Sequence, residues 1–196
     1  TLPIEQYSII HNPIDDERFA YGPKPVDQRF NVLSIRPYAS AVYANDLAVD
    51  AIRLLSAEPE FDRMRFRLIG DGPLFDATIA PLRGFGNVTL ERRFMTQAEI
   101  AATHRDYGVF LCPTRMDSQG VSRDEAMSSG LVPVTTRIAA VPEFVDDASG
   151  LLCAPESAAG LAAADASEVN PAAVGEGQRR VPEHRQSGHE PASLQR

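Results

Sequence analysis

The chain has 196 residues, of which 43% are hydrophobic, and carries a formal net charge of −8 at pH 7. That length and apolar content suit one large globular domain with a sizeable core and exclude wholesale disorder. The acidic balance excludes the basic footprint that a nucleic acid or an anionic membrane surface demands, although one or two local cations and a helix N-terminus suffice for a small anionic ligand.

Residues 1–29 are rich in Pro, Asp and Gly, lack sustained periodicity, and read as an incoming linker. From Phe30 strand and helix patterns alternate. Asn31 to Ile35 is a short apolar strand, and Asp46 to Leu55 has helical spacing through Leu47, Ile52 and Leu55. Arg65 to Ile69 is a second strand, turned by Gly70-Asp71-Gly72-Pro73 into a helix near Leu74 to Leu82. Asn87 to Leu90 is a third strand. Thr96 to His104 is a helix with Thr96 as N-cap and Glu99 as its capping-box partner. Tyr107 to Leu111 reads as a buried strand, and a second apolar strand lies at Leu131 to Val134. Between these two the order is polar loop, glycine, helix, glycine stop. Such alternation predicts an α/β fold, a Rossmann-like doubly wound parallel sheet with helices on both faces. From about Ala162 the composition shifts to Ala, Glu, Gly, Pro, Gln, Arg and His, and residues 162–196 read as a poorly ordered tail.

The loop that leaves a parallel strand and opens a helix is where an open α/β sheet binds its ligand. Here that loop carries Asp117, and the helix carries Glu125 eight positions later. Between them the amides of Gly120, Val121 and Ser122 fall at the helix opening, where N–H groups lack intrahelical acceptors and suit an anion. Cys112 and Cys153 sit in apolar stretches without metal-like spacing and read as reduced core thiols of a cytosolic protein. No apolar run reaches the roughly 18 residues of a membrane span, and no signal-peptide pattern opens the chain. His11 and His104 have no acid or metal partner in the sequence and read as core or surface residues.

Asp117-Ser118-Gln119-Gly120, then Glu125-Ala126-Met127, then Gly130-Leu131-Val132-Pro133-Val134 resembles the acid-x7-acid signature of the glycosyltransferases of family 4, in the C-terminal, donor-binding half of the two-domain GT-B architecture. Thr136 to Glu143 is similar to the family's Thr-x-x-Gly-Gly-x-Pro-Glu, with Ala139 and Ala140 in place of two glycines. Ile10 to Phe19, Arg36 and Leu68-Ile69-Gly70-Asp71-Gly72-Pro73 match further family motifs in the expected order.

The resemblance implies that residues 30–161 bind a nucleotide-sugar donor, and that an N-terminal acceptor domain, absent from this chain, completes the enzyme. It implies a retaining, metal-independent transfer of a hexose from a nucleotide diphosphate sugar to an acceptor hydroxyl on a glycan, lipid or small molecule, with no cofactor. By that resemblance Glu125 accepts from ribose hydroxyls. Asp117 contacts the transferred sugar, its side chain reaching about 1.5 Å less far than the usual Glu. Arg36 neutralises the leaving diphosphate, and Gly70, Gly72 and Gln119 line the cleft. The lysine that the family adds after the arginine is missing; Tyr43 and Asn45 occupy that neighbourhood, and Arg115 is the nearest substitute. The resemblance also implies a cytoplasmic protein, peripheral to the inner face of a membrane through the missing half if attached at all. The rival reading is a non-catalytic nucleotide-sugar-binding fragment, inactive alone.

Overall fold

The computed structural model describes residues 9–167. Six strands, β1 (Asn31–Ile35), β2 (Arg65–Gly70), β3 (Val88–Arg92), β4 (Val109–Leu111), β5 (Val132–Thr136) and β6 (Leu151–Cys153), form one sheet in the order β3-β2-β1-β4-β5-β6. Every pairing is parallel, with Val32 beside both Phe66 and Val109. This is a Rossmann-like α/β sheet, and its strand order reverses direction between β1 and β4.

Side chains alternate across a strand with a period of two, so a sheet covered on both faces must be apolar at successive positions. Val32, Phe66, Leu68, Val109 and Leu111 enter one core, shared with Leu47, Ala48, Ile52 and Leu55 of α1 (Asn45–Leu55) and Leu161 of α6 (Ala158–Ser167). Leu33, Ile69, Phe110 and Cys112 enter the other, with Ala126 of α4 (Val121–Ser128) and Leu131. Each fully buried aliphatic side chain contributes on the order of 1.5–3 kcal/mol relative to exposure. The remaining helices are α2 (Phe75–Ile79), α3 (Gln97–His104) and α5 (Val141–Phe144).

Most boundaries follow the sequence reading, and the differences have local causes. β4 starts at Val109 rather than Tyr107, because the Tyr107 N–H still donates to His104 O at 3.3 Å in the turn leaving α3. α2 ends at Ile79 and passes into a 3-10 turn at Ala80–Leu82, where Pro81 has no N–H to continue the helix. α4 ends in a Schellman pair: Gly130 donates to Met127 O and Leu131 to Ala126 O, both at 2.9 Å. Leu131 is thereby held in the cap, and β5 begins one residue later.

One expectation needs correction. Ala162 to Ser167 is not tail but the second half of α6, which packs on α1 and buries Leu161 and Ala162. Residues 168–196, the rest of the expected tail, lie outside the described residues, as do residues 1–8 of the expected linker. The described part of that linker lies against the domain: Phe19 is 1% exposed, and its carbonyl accepts from Ser128 Oγ at 2.9 Å.

Candidate functional site at the switch between β1 and β4

Where the strand order reverses, the loops after β1 and β4 lead to helices on opposite faces of the sheet, the place where open α/β sheets bind their ligands. The β1 loop supplies Arg36; the β4 loop supplies Asp117 and leads through Gly120 into α4. Arg36 is 6% exposed, with its Nη1 3.4 Å from Ser122 Oγ and its Nη2 3.4 Å from Pro113 O. Both contacts are long for hydrogen bonds, and the buried Nε has no acceptor at all. The Tyr43 ring lies 5.3 Å from the guanidinium carbon. A buried cation whose Nε has no acceptor suits an anion that the protein itself does not provide.

Gly120 caps α4 in the left-handed region at φ 82°. A Cβ there would stand 2.8 Å from Arg123 Nη1 and 2.9 Å from Asp117 Oδ2, so glycine is what allows these groups to close over the backbone. Asp117 Oδ1 accepts from the Gln119 N–H at 3.1 Å, which fixes the loop as it enters the helix. The N–H groups of Val121 and Ser122, in the first turn, have no intrahelical acceptors. Asp117, Gly120, Ser122 and Arg36 therefore gather at one helix opening.

Glu125 lies one turn further along α4. It is 8% exposed, and burial first, then neighbouring Asp124, pushes its carboxyl above the ordinary range, while Arg18 opposes the shift. Gln97 Nε2 donates to its Oε1 at 3.5 Å.

Other expected site residues lie elsewhere. Arg115 does not supply a second free cation: Nε and Nη2 hold Glu156 at 2.8 and 2.9 Å, Nη1 and Nη2 hold Asp46 at 2.8 Å each, and Nη1 also donates to Ala41 O. All five N–H groups of the guanidinium are engaged. Asn45, near the position of the absent lysine, is buried and donates to Pro37 O at 2.8 Å. Gln119 is 8% exposed and bonds to the entering segment. Its amide accepts from Asn12 N–H at 2.7 Å and donates to Asn12 O at 2.9 Å, answering both backbone polar groups of that residue. Gly70 and Gly72 stand behind the site. A Cβ on Gly70 would lie 1.9 Å from Arg36 O, and one on Gly72 2.3 Å from the Tyr38 carbonyl carbon. They let the β2 loop press against residues 36–39 and so set the position of Arg36.

The sequence reading passed over Arg123, which is 2% exposed beside Asp124. Its Nη2 reaches Asp124 Oδ1 at 2.8 Å and also the Gln119 carbonyl, and Phe144 lies 5.3 Å from its guanidinium carbon. Nothing in a Ser-Arg-Asp-Glu run distinguishes a buried pair from an exposed one. His104, at 0% exposed, bonds Ser129 Oγ at 3.0 Å and is pushed down to about 4, chiefly by burial. It is a core residue. Both cysteines are free and buried. Among the described residues no helix is long and apolar enough to cross a membrane.

The fold has close counterparts among solved structures. S. aureus TarM, in a single-residue variant described as a complex with fondaparinux, alpha-GlcNAc-glycerol and UDP, superposes with a TM-score of 0.69 at 20% identity, over 88% of this chain and 33% of that one. A second TarM structure gives 0.68 at 21% identity, over 82% and 32%. The C-terminal domain of LpcC, a glycosyl transferase group 1 family protein from Francisella tularensis, gives 0.67 at 17% identity, over 85% and 93%. The chain thus spans about a third of TarM and nearly all of the isolated LpcC domain. No curated protein matches the sequence. The family model for glycosyl transferases group 1 matches residues 31–167, from the first residue of β1 to the last of α6. The chain belongs to the glycosyl transferases group 1.

Proposed function

We propose that this domain binds the donor of a retaining, metal-independent family 4 glycosyltransferase, a nucleoside diphosphate sugar from which a hexose passes to an acceptor hydroxyl. The observation that carries the reading is Arg36: a buried guanidinium with an orphaned Nε, facing the first turn of α4 at the switch in strand order. Breaking the bond between sugar and diphosphate builds negative charge on the departing oxygen, and a fixed cation together with oriented N–H groups stabilises it without reorganising at that moment. Asp117, restrained by the Gln119 N–H, receives the sugar hydroxyls; Glu125, one turn on, receives those of the ribose. Turnover needs an acceptor half supplied by further protein. The buried free thiols suit a cytoplasmic enzyme.

Calorimetric titration of the chain with UDP, GDP and ADP tests this. One of them should bind, and Arg36→Gln should weaken it about ten- to a hundredfold, the scale of a charge-assisted hydrogen bond. No heat with any of the three sinks the proposal. A second reading, a donor-binding module without turnover, is favoured by the engagement of Arg115 and Asn45, which leaves Arg36 as the cation facing the diphosphate among the described residues. Donor hydrolysis and transfer assays separate the two.

A further inference from the structure

Two side chains from distant parts of the chain converge on Glu125. Gln97, the first residue of α3, points its Nε2 at Glu125 Oε1 across 3.5 Å, a contact long for a hydrogen bond. The other end of the same amide, Oε1, accepts from Arg18 Nη1. Arg18 is steadied in turn by Asp15, whose Oδ2 lies 3.4 Å from Nη2 and whose Oδ1 accepts the Arg18 backbone N–H at 3.0 Å. The polarity of an amide fixes its orientation here: the carbonyl meets the guanidinium and the NH2 meets the carboxylate, and a flip would place like against like at both ends. α3 is itself held at this end by the capping box between Thr96 and Glu99, so Gln97 projects from a fixed turn.

We propose that Arg18 and Gln97 are positioning residues for Glu125, a relay that holds its carboxylate oriented to accept both vicinal hydroxyls of a ribose. This rests on the donor-binding function proposed above. The relay answers a specific difficulty. Glu125 is 8% exposed, and Asp124 beside it adds a second negative charge. Both factors favour a protonated Glu125, and a protonated carboxyl offers one acceptor fewer than a diol can use. Arg18 is the positive charge that opposes them, and Gln97 stands between the two side chains, one end of its amide toward each. Arg18 and its partner Asp15 are 43% and 45% exposed, so the pair adds little to folding stability. Its removal should therefore be felt at Glu125 rather than in the fold.

The test uses the full chain and its Arg18→Met and Gln97→Leu variants. Each is titrated with whichever of UDP, GDP and ADP the unaltered chain binds, and with the 2′,3′-dideoxy form of that nucleotide. Each variant should bind the ribonucleotide about five- to tenfold more weakly, the scale of one hydrogen bond to a charged group, and bind the dideoxy form as before. Carboxyl-carbon NMR of Glu125, followed against pH without ligand, should show its titration displaced upward in both variants. A merely structural role would weaken both nucleotides alike and leave the titration unmoved, and that result overturns the proposal. An unaltered chain that binds none of the nucleotides refutes the donor reading and the ribose role with it. The NMR titration then still decides whether Arg18 and Gln97 act on Glu125.

Discussion

At Gly120 one missing side chain holds the site open. Its φ of 82° lies where an L side chain costs roughly 1–2 kcal/mol, and the added methyl would displace Arg123 Nη1 and Asp117 Oδ2, 2.8 and 2.9 Å away. Gly120→Ala should lower Tm by roughly 2–8 °C. It should weaken donor binding more than that loss explains, because Asp117 must move. Scanning calorimetry beside titration checks both, and an unchanged Tm would show that the loop adapts freely. The signature loop was legible in the sequence because glycine, acid and helix start fall within a few residues of each other. The use of Gln119 was not: its partner Asn12 is 107 positions away.

At the scale of the element, α3 was read correctly down to its cap. The Thr96 hydroxyl accepts from Glu99 N–H at 3.3 Å, and Glu99 Oε2 accepts from Thr96 N–H at 2.7 Å. The Thr96 backbone and hydroxyl, with Arg93 behind them, hold the Glu99 carboxyl at about 2, below its ordinary 4.5. A depressed carboxylate stabilises the fold fully above about 4.5 and loses that contribution as pH falls towards about 2. Glu99→Gln should therefore flatten the decline of Tm between those values; an acid limb identical to that of the unaltered chain would remove Glu99 from the account. α6 shows the opposite case. Its run of Ala and Gly carries almost no apolar stripe. Its place in the fold comes from packing of Leu161 and Ala162 on α1, with β5 and β6 also in contact.

For the molecule as a whole, α6 brings an unpaired acid into the interior. Asp165 is buried, neither carboxyl oxygen has a hydrogen-bond partner, and burial pushes it up to about 7 from an ordinary 3.8. Between those values the unfolded chain releases the proton while the folded one keeps it, so stability falls as pH rises through that window and levels off above it. Asp165→Leu should raise Tm at pH 8, with a gain that shrinks towards pH 4. A gain independent of pH would mean that packing alone, not ionisation, is responsible.

The sequence by itself determined the parallel α/β class, the strand and helix order through β5, the capping box and the loop that opens α4. Each is written in periodicity or turn chemistry over a dozen residues or fewer, and the backbone must satisfy it locally. Only the tertiary structure decided which charged groups are free. Arg36 and Arg115 read alike in a string of letters, yet one keeps a buried, orphaned N–H while the other is closed by Asp46 and Glu156. Arg18 reaches Gln97 across 79 positions and, through it, Glu125. A side chain's chemistry depends on the partners that desolvate and neighbour it. Partners so far away along the chain become neighbours only when the chain folds.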